Sequence, residues 1–326
     1  MKLPRRTFLQ FAGATAATPA FSRIATAQTY PARPITMIVP YPPGGPTDVL
    51  ARVLAEQMRS SLGQPMIIEN VGGAEGSIGV TRAARARSDG YTIDLGAKST
   101  HVLNSAFYSL PYDVLNAFAP ITPLVTTAQI LFAGNTIPAK NLNELIVWLK
   151  ANPNAASVGI GATVSHLVAV LFQRETGTQF TMVPYRTANV AMQDLVAGQI
   201  DLVFTTPDRL ALMRAGSTKA FAVTSDTRLA LVPDIPTFVE KGLPALSFSL
   251  WFGLFAPVGT PREIIDRLNG AAVQALADQT VRSRLIQLGM EIFPREQQTP
   301  EALDALQKAD AEKWWPIIKA ANIKRE

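Results

Sequence analysis

The chain has 326 residues, with 30 Lys+Arg against 25 Asp+Glu, two histidines and no cysteine. Without cysteine there is no disulfide, thiol nucleophile or thiolate metal site, and two histidines cannot form a histidine-based metal centre without carboxylate help. The formal charge of +5 is gathered into no Lys/Arg run beyond the N-terminus, which argues against a nucleic-acid footprint.

The first element in chain order reads as a targeting signal. Lys2, Arg5 and Arg6 precede a modestly apolar, Ala-rich stretch over 8–21, and Ala25-Thr26-Ala27 forms a small-x-small site suited to signal peptidase. Gly13, Thr15, Thr18 and Pro19 break the stretch, leaving it too short and too polar to span a bilayer. Arg5-Arg6-Thr7-Phe8-Leu9-Gln10 is similar to a twin-arginine signal and departs from the usual pattern at Pro4 and Gln10. The expectation is removal of residues 1–27, a new N-terminus at Gln28 and a periplasmic protein, exported by the twin-arginine route in preference to the general one. The removed segment holds four basic residues and no acid, leaving 26 basic against 25 acidic, a net of +1. Much of the basic balance therefore belongs to the signal. About 300 residues remain, more than one core usually holds, and two lobes are expected.

Short β-type runs then alternate with helical patterns, the signature of α/β layers. A buried strand over 35–39 ends at Pro40. A helix over 47–62 follows, with Val49, Leu50, Val53, Leu54 and Met58 at helical spacing and Gly63 as its stop. Strands at 66–68 and 91–95 flank a helix over 80–87. A β-type segment over 121–132 has no helical period and is long enough to leave the first lobe. Asn141 begins a capped helix. The strand at 157–160, helix at 165–175, strand at 180–183, helix at 188–197, strand at 201–204, helix at 210–215 and strand at 220–224 build a second lobe. A strand over 251–256 returns to the first. Thr260-Pro261-Arg262-Glu263 combines a hydroxyl cap, Pro at the first helical position and Glu at the third, and Thr299-Pro300-Glu301 starts the last helix. The pattern predicts residues 28–128 with 249–326 as lobe 1 and 129–248 as lobe 2.

Three loops share one property: each is rich in Gly or small residues, follows a strand and precedes a helix. They are Pro42-Pro43-Gly44-Gly45-Pro46-Thr47-Asp48, Gly72-Gly73-Ala74-Glu75-Gly76-Ser77 and Gly161-Ala162-Thr163-Val164-Ser165-His166. Glycine lets backbone amides approach a ligand, and the first helical turn offers unpaired N–H groups at the positive end of its dipole. Such loops bind anions without lysine or arginine, although each loop alone is also an ordinary helix-capping turn.

Val39 to Asp48 and Ile68 to Gly79, with Asp89-Gly90-Tyr91-Thr92, Leu110-Pro111-Tyr112-Asp113, Ser165-His166-Leu167, Val183-Pro184-Tyr185, Gly198-Gln199-Ile200-Asp201, Leu231 to Thr237 and Trp251 to Pro257, resemble the Bordetella uptake gene (Bug) receptors. Those are the extracytoplasmic binding proteins of tripartite tricarboxylate transporters. The resemblance covers essentially the whole chain after residue 27, in order. It implies a type II periplasmic binding protein fold, a two-lobe Venus flytrap with the ligand in a cleft between the lobes. It also implies capture of a small organic carboxylate (a di- or tricarboxylate, or an aromatic one) by a monomer that needs no cofactor and works with membrane subunits. Carried over by position, the ligand residues are Tyr41, Pro42, Gly44, Gly45 and Asp48, then Ala74, Gly76 and Ser77, and Ser99 and Thr100. The second lobe adds Gly161, Ser165, His166 and Arg186, with Thr205, Thr206 and Asp208.

The chain departs from the family pattern in several places. Glu75 adds a carboxylate near the expected anion site, unfavourable unless it faces solvent. Lys98 either pairs with a second acidic group of the ligand or is a solvated loop lysine. Arg186 stands where lysine is usual and offers a bidentate carboxylate contact or a surface charge. Asp48 would repel a ligand carboxylate, so its expected work is fixing the loop amides. Ser165 and His166 are adjacent and cannot face one point as a nucleophile–base dyad, and no acid is placed to complete a triad. The expected class is a binding protein, not an enzyme; a ligand-sensing receptor uses the same features.

Overall fold

A computed structural model describes residues 30–320; the expected signal over 1–27 lies outside them. The alternating pattern folds into two mixed sheets. In the first, β1 (Ile35–Val39), β2 (Met66–Asn70) and β3 (Thr92–Ala97) run parallel, Met37 pairing with Ile68 on one side and Ile93 on the other. β4 (Phe118–Ala128), β10 (Ser249–Pro257) and the short β11 (Glu291–Ile292) complete it antiparallel, in the order β11-β4-β10-β3-β1-β2. The second sheet has the order β7-β6-β8-β5-β9. It is built from β5 (Ile130–Ala133), β6 (Ser157–Ile160), β7 (Thr181–Pro184), β8 (Leu202–Thr205) and β9 (Lys219–Val223).

β1, flanked by β2 and β3, buries Ile35, Met37, Ile38 and Val39 on both faces, which is why its apolar residues do not alternate with polar ones. The β-type run over 121–132 divides at Gln129, where the chain passes from the first sheet to the second. It passes back between β9 and β10. Thr224, fully buried, ties the two passages together. Its Oγ1 accepts from Gln129 N (2.8 Å) and donates to Phe248 O (2.6 Å), while its own amide donates to Gln129 O (2.9 Å) and its carbonyl accepts from Phe248 N (2.7 Å).

The helices cover these sheets. α1 (Pro46–Leu62) buries Leu50, Leu54, Met58 and Leu62, an i, i+4 stripe worth roughly 1.5–3 kcal/mol per side chain. It ends on Gly63 at φ 70°, whose amide returns to Arg59 O. α2 (Ser77–Ala84) starts three residues earlier than its apolar pattern predicts, because the turn at Gly76 already points the chain into the helix. A five-residue π turn (Ser99–Leu103) and α3 (Asn104–Phe107) follow β3. α4 (Leu142–Ala151), α5 (Thr163–Thr176), α6 (Ala188–Val196) and α7 (Leu210–Arg214) belong to the second sheet. α8 (Arg262–Ala277), α9 (Gln279–Gln287) and α10 (Pro300–Ala320) return to the first.

The cap expected at Asn141 forms, its side chain accepting from Glu144 N at 3.0 Å, and Thr299 Oγ1 accepts from Ala302 N at 3.1 Å. Thr260 is a correction. Its hydroxyl donates to Pro257 O (2.7 Å), and α8 starts after Pro261 with no side-chain cap. Pro261 takes the N-cap position itself, so Arg262 is the first helical residue and Glu263 the second. Each half has its own aromatic packing. Phe172, Phe204 and Phe238 meet at ring separations of 6.0–6.3 Å in the second, and Trp251, Phe255 and Trp314 are buried in the first.

Candidate ligand site

Parallel strands β1, β2, β6, β7 and β8 deliver their following loops at the carboxyl edges of the two sheets, the usual position for ligand loops in open α/β sheets. In the first loop Gly44 takes φ 83°, and Gly45, the N-cap of α1, offers no side-chain acceptor. Asp48, at the third helical position, supplies it. Its Oδ2 accepts from Gly44 N (2.9 Å) and Arg52 Nε (2.9 Å), and its Oδ1 accepts from Asn70 Nδ2 (3.0 Å). Asn70 Nδ2 also donates to Tyr41 O (3.1 Å), locking the first loop to the end of β2. Burial raises the Asp48 pKa, but the hydrogen bonds from Arg52, Gly44 and Asn70 outweigh it and hold the carboxyl below its usual range. Asp48 therefore shapes the loop. The Tyr41 hydroxyl pairs with Ser99 Oγ at 2.7 Å, and burial pushes its pKa up.

The second loop is a left-handed run: Gly73 (φ 116°), Ala74 (46°), Glu75 (54°) and Gly76 (89°). A side chain at Gly76 would put its Cβ 2.8 Å from Thr100 Cγ2 and 3.0 Å from Pro40 O, so both space and backbone demand glycine there. Pro42 is exposed and packs near Gly72. Asn104 Nδ2 donates to Glu75 O (2.9 Å) and lies 3.4 Å from Ser77 Oγ.

In the third loop, Ser165 Oγ accepts from Ala162 N (3.1 Å) and donates to Ala162 O (2.8 Å), so the hydroxyl is fully engaged in shaping the start of α5. A Cβ on Gly161 would lie 2.4 Å from Ala188 N, so glycine is what lets this loop touch the start of α6. His166 is half-buried on the first turn of α5, and Arg186 is exposed after β7. Thr205 is buried at the end of β8. Thr206 Oγ1 donates to Asp208 Oδ1 (2.6 Å), and Arg209 pairs with Asp208 at 3.1 Å. Burial raises the Asp208 pKa despite these partners.

The second and third loops meet across the two halves. Glu75 Oε2 accepts from Thr163 N at 3.4 Å. Glu75 is thus turned toward the second half, a contact that sequence reasoning missed because nothing near residue 75 announces residue 163. Cavities of about 590 Å³ beside Tyr108 and Trp315, and about 620 Å³ beside Arg214 and Lys241, include no residue of these loops.

Two candidate solute residues, Lys98 and Thr100, are engaged within the fold. Lys98 is neither a cleft cation nor a solvated lysine. Its ammonium is 3.0 Å from Asp310 Oδ1, donates to Ser249 O (3.0 Å) and lies over the Phe248 ring at 4.5 Å. Burial lowers its pKa while Asp310 raises it, with burial the stronger. Asp310 also accepts from Trp251 Nε1 (2.6 Å) and Trp314 Nε1 (3.0 Å). Thr100 is fully buried, its Oγ1 accepting from Ala97 N at 3.1 Å, so its hydroxyl supports the turn after β3.

Backbone amides at helix starts, with hydroxyl and carboxylate groups spent on loop geometry, suit recognition of an anion more than chemistry upon it. Among the described residues no group of three His, Asp or Glu is placed to hold a metal ion, and no helix is long and apolar enough to cross a membrane. Two α/β halves joined by two passages, with glycine-rich loops after their parallel strands, have the two-lobe architecture of solute-binding proteins. The chain belongs to the tripartite tricarboxylate transporter receptor family, whose model matches residues 50–323. It is 38% identical to protein BugT of Bordetella pertussis over 270 residues, 81% of this chain and 83% of that one. Its fold is similar to periplasmic binding protein BugD, with a TM-score of 0.83 at 36% identity, covering 91% of this chain and all of the other. MatC from Rhodopseudomonas palustris with bound malate gives a TM-score of 0.81 at 34% identity, covering 89% of this chain and 100% of MatC. An R. palustris protein with adipate gives 0.84 at 29%, covering 91% and 100%. The family consists of binding proteins.

Proposed function

We propose that this chain captures a small organic acid in the periplasm, closes on it and presents it to the membrane subunits of a tripartite tricarboxylate-type transporter. The observation that carries this reading is the set of glycine-rich, amide-bearing loops after the parallel strands of both sheets, in which the polar side chains shape backbone and leave the helix starts to an anion. Malate and adipate, bound by related proteins, suggest a dicarboxylate. Residues 28–128 with 249–326 form one lobe and 129–248 the other in this reading, with Gln129 and Thr224 at the passages between them. Tyr41, Pro42, Gly44, Gly45, Ala74, Gly76, Ser77 and Ser99 would face the solute from the first lobe. Gly161, His166, Arg186, Thr205 and Thr206 would do so from the second, while Asp48, Ser165 and Asp208 hold loops in place. The protein acts as a monomer, exported behind residues 1–27.

A thermal-shift panel of malate, adipate, citrate and benzoate tests the proposal, with the corresponding amides as controls. A solute that binds only the folded state stabilises it by about 2.7 kcal/mol at one hundred times its Kd. A rise in midpoint with at least one acid and none of the amides is the expected result. No shift with any acid overturns it.

A further inference from the structure

The second loop contains a group that the proposed solute site does not need. Glu75 stands in left-handed backbone (φ 54°), as does Ala74 before it (φ 46°), a conformation that L side chains rarely adopt. Asn104 Nδ2 holds the Glu75 carbonyl at 2.9 Å, which keeps the residue in that turn. From there the side chain reaches the other half of the molecule and its Oε2 accepts from Thr163 N, the first residue of α5. Its charge also bears on the Tyr41 phenol of the first loop, so the carboxylate lies among the proposed solute loops.

The start of α5 explains why a carboxylate is accepted there. Ala162, at the N-cap, has no side-chain acceptor, and Ser165 Oγ is occupied with Ala162 N and O. The amide of Thr163 is thus left for an outside acceptor at the positive end of a 14-residue helix. Thr163 is 1% exposed and its Oγ1 has no hydrogen-bond partner, so a second donor is buried at the same place. A carboxylate at this point meets the conditions a free acid would find.

We infer that Glu75 is a built-in surrogate for the solute carboxylate: it occupies the start of α5 in the solute-free protein, and an arriving acid binds by displacing it. The inference rests on the carboxylate-binding reading above. It makes Glu75 a specificity-determining residue that sets a threshold, because an acid must outcompete an intramolecular carboxylate and then tolerate its charge nearby. An acid whose second carboxylate or chain length cannot be accommodated beside Glu75 is rejected. If Glu75 occupies α5 about nine-tenths of the time, apparent affinity is about tenfold below the intrinsic value.

Two measurements on Glu75→Gln test this separately from the parent reading. In the solute-free protein with ¹⁵N-threonine labelling, the Thr163 amide resonance should shift upfield when Glu75 becomes glutamine, as the carboxylate acceptor is lost. By calorimetry, Glu75→Gln should bind malate or adipate about tenfold more tightly than the wild type. Glu75→Gly, which also relieves the left-handed backbone, should match it in affinity. An unmoved Thr163 resonance overturns the contact. Equal or weaker binding by Glu75→Gln overturns the displacement, and weaker binding would make Glu75 a direct solute partner. If no protein binds any acid, the carboxylate-capture reading fails and the displacement with it, while the Thr163 resonance still decides the contact.

Discussion

Replacing Asp94 by asparagine should make the protein newly sensitive to mild acid. Asp94 on β3 and His101 on the following turn are both fully buried, with His101 Nε2 3.4 Å from Asp94 Oδ2. The imidazole stacks on Phe255 at 4.2 Å, and its Nδ1 lies 3.0 Å from Thr100 Oγ1. Burial pushes the Asp94 carboxyl well above its ordinary 3.8 and the His101 imidazole down from 6.5 to about 3. Between pH 3.8 and 6.5, wherever native Asp94 keeps its proton, the native pair holds one proton, and so does the unfolded pair, on its histidine. Equal proton counts make the pair's contribution flat across that window. Where the unfolded histidine loses its proton before native Asp94 gives up its own, stability falls as pH rises.

Asparagine removes the native proton but not the unfolded one. Below pH 6.5 the variant then loses stability as histidine is protonated only in the unfolded chain, down to a folded value of about 3. One proton corresponds to about 1.4 kcal/mol per pH unit. From pH 6.5 to 4.5 the variant should therefore lose up to about 2.7 kcal/mol relative to the wild type. Urea unfolding of both proteins at the two pH values measures this difference and cancels the other titrating groups. A gap between the proteins that is the same at both pH values refutes the shared-proton account.

Other perturbations follow from the same contacts. Lys98→Met leaves the buried Asp310 with indole donors and no cation, and should cost about 3–5 kcal/mol by urea unfolding. The same variant should leave acid affinity unchanged, because the ammonium faces Asp310; a large loss of affinity at intact stability would return Lys98 to the solute site. Thr224→Val strips Gln129 N of its acceptor at the passage between sheets, for a loss of about 1–3 kcal/mol. Gly161→Ala forces its Cβ against Ala188 N and should cost about 1–3 kcal/mol. It should also weaken acid binding, which calorimetry would read.

Much of the fold was legible because its signals are local. Asn141 and Thr299 cap helices within three residues of themselves, and Gly63 ends α1 through its own backbone. The buried strands announced themselves as apolar runs between turn residues. Local reasoning failed where two local solutions compete, as at Thr260, whose hydroxyl turns back to Pro257 O while Pro261 takes the N-cap position. It was also silent on α9 and β11, since a short helix with few apolar positions and a two-residue strand carry almost no periodicity.

The candidate site divides along the same line. Its loops are visible in the sequence because glycine and cap residues are demanded by backbone geometry a few residues wide. Which loop side chains remain available to a solute was decided only by the tertiary structure. Lys98 is claimed by Asp310 on α10 and Thr100 by the turn after β3, while Glu75 crosses to Thr163 on the other half. Charge and hydrogen-bonding interactions act over a few ångströms of space whatever the separation along the chain. By itself, then, the sequence determined the backbone that can receive an anion, and the fold determined which polar groups are spent before one arrives.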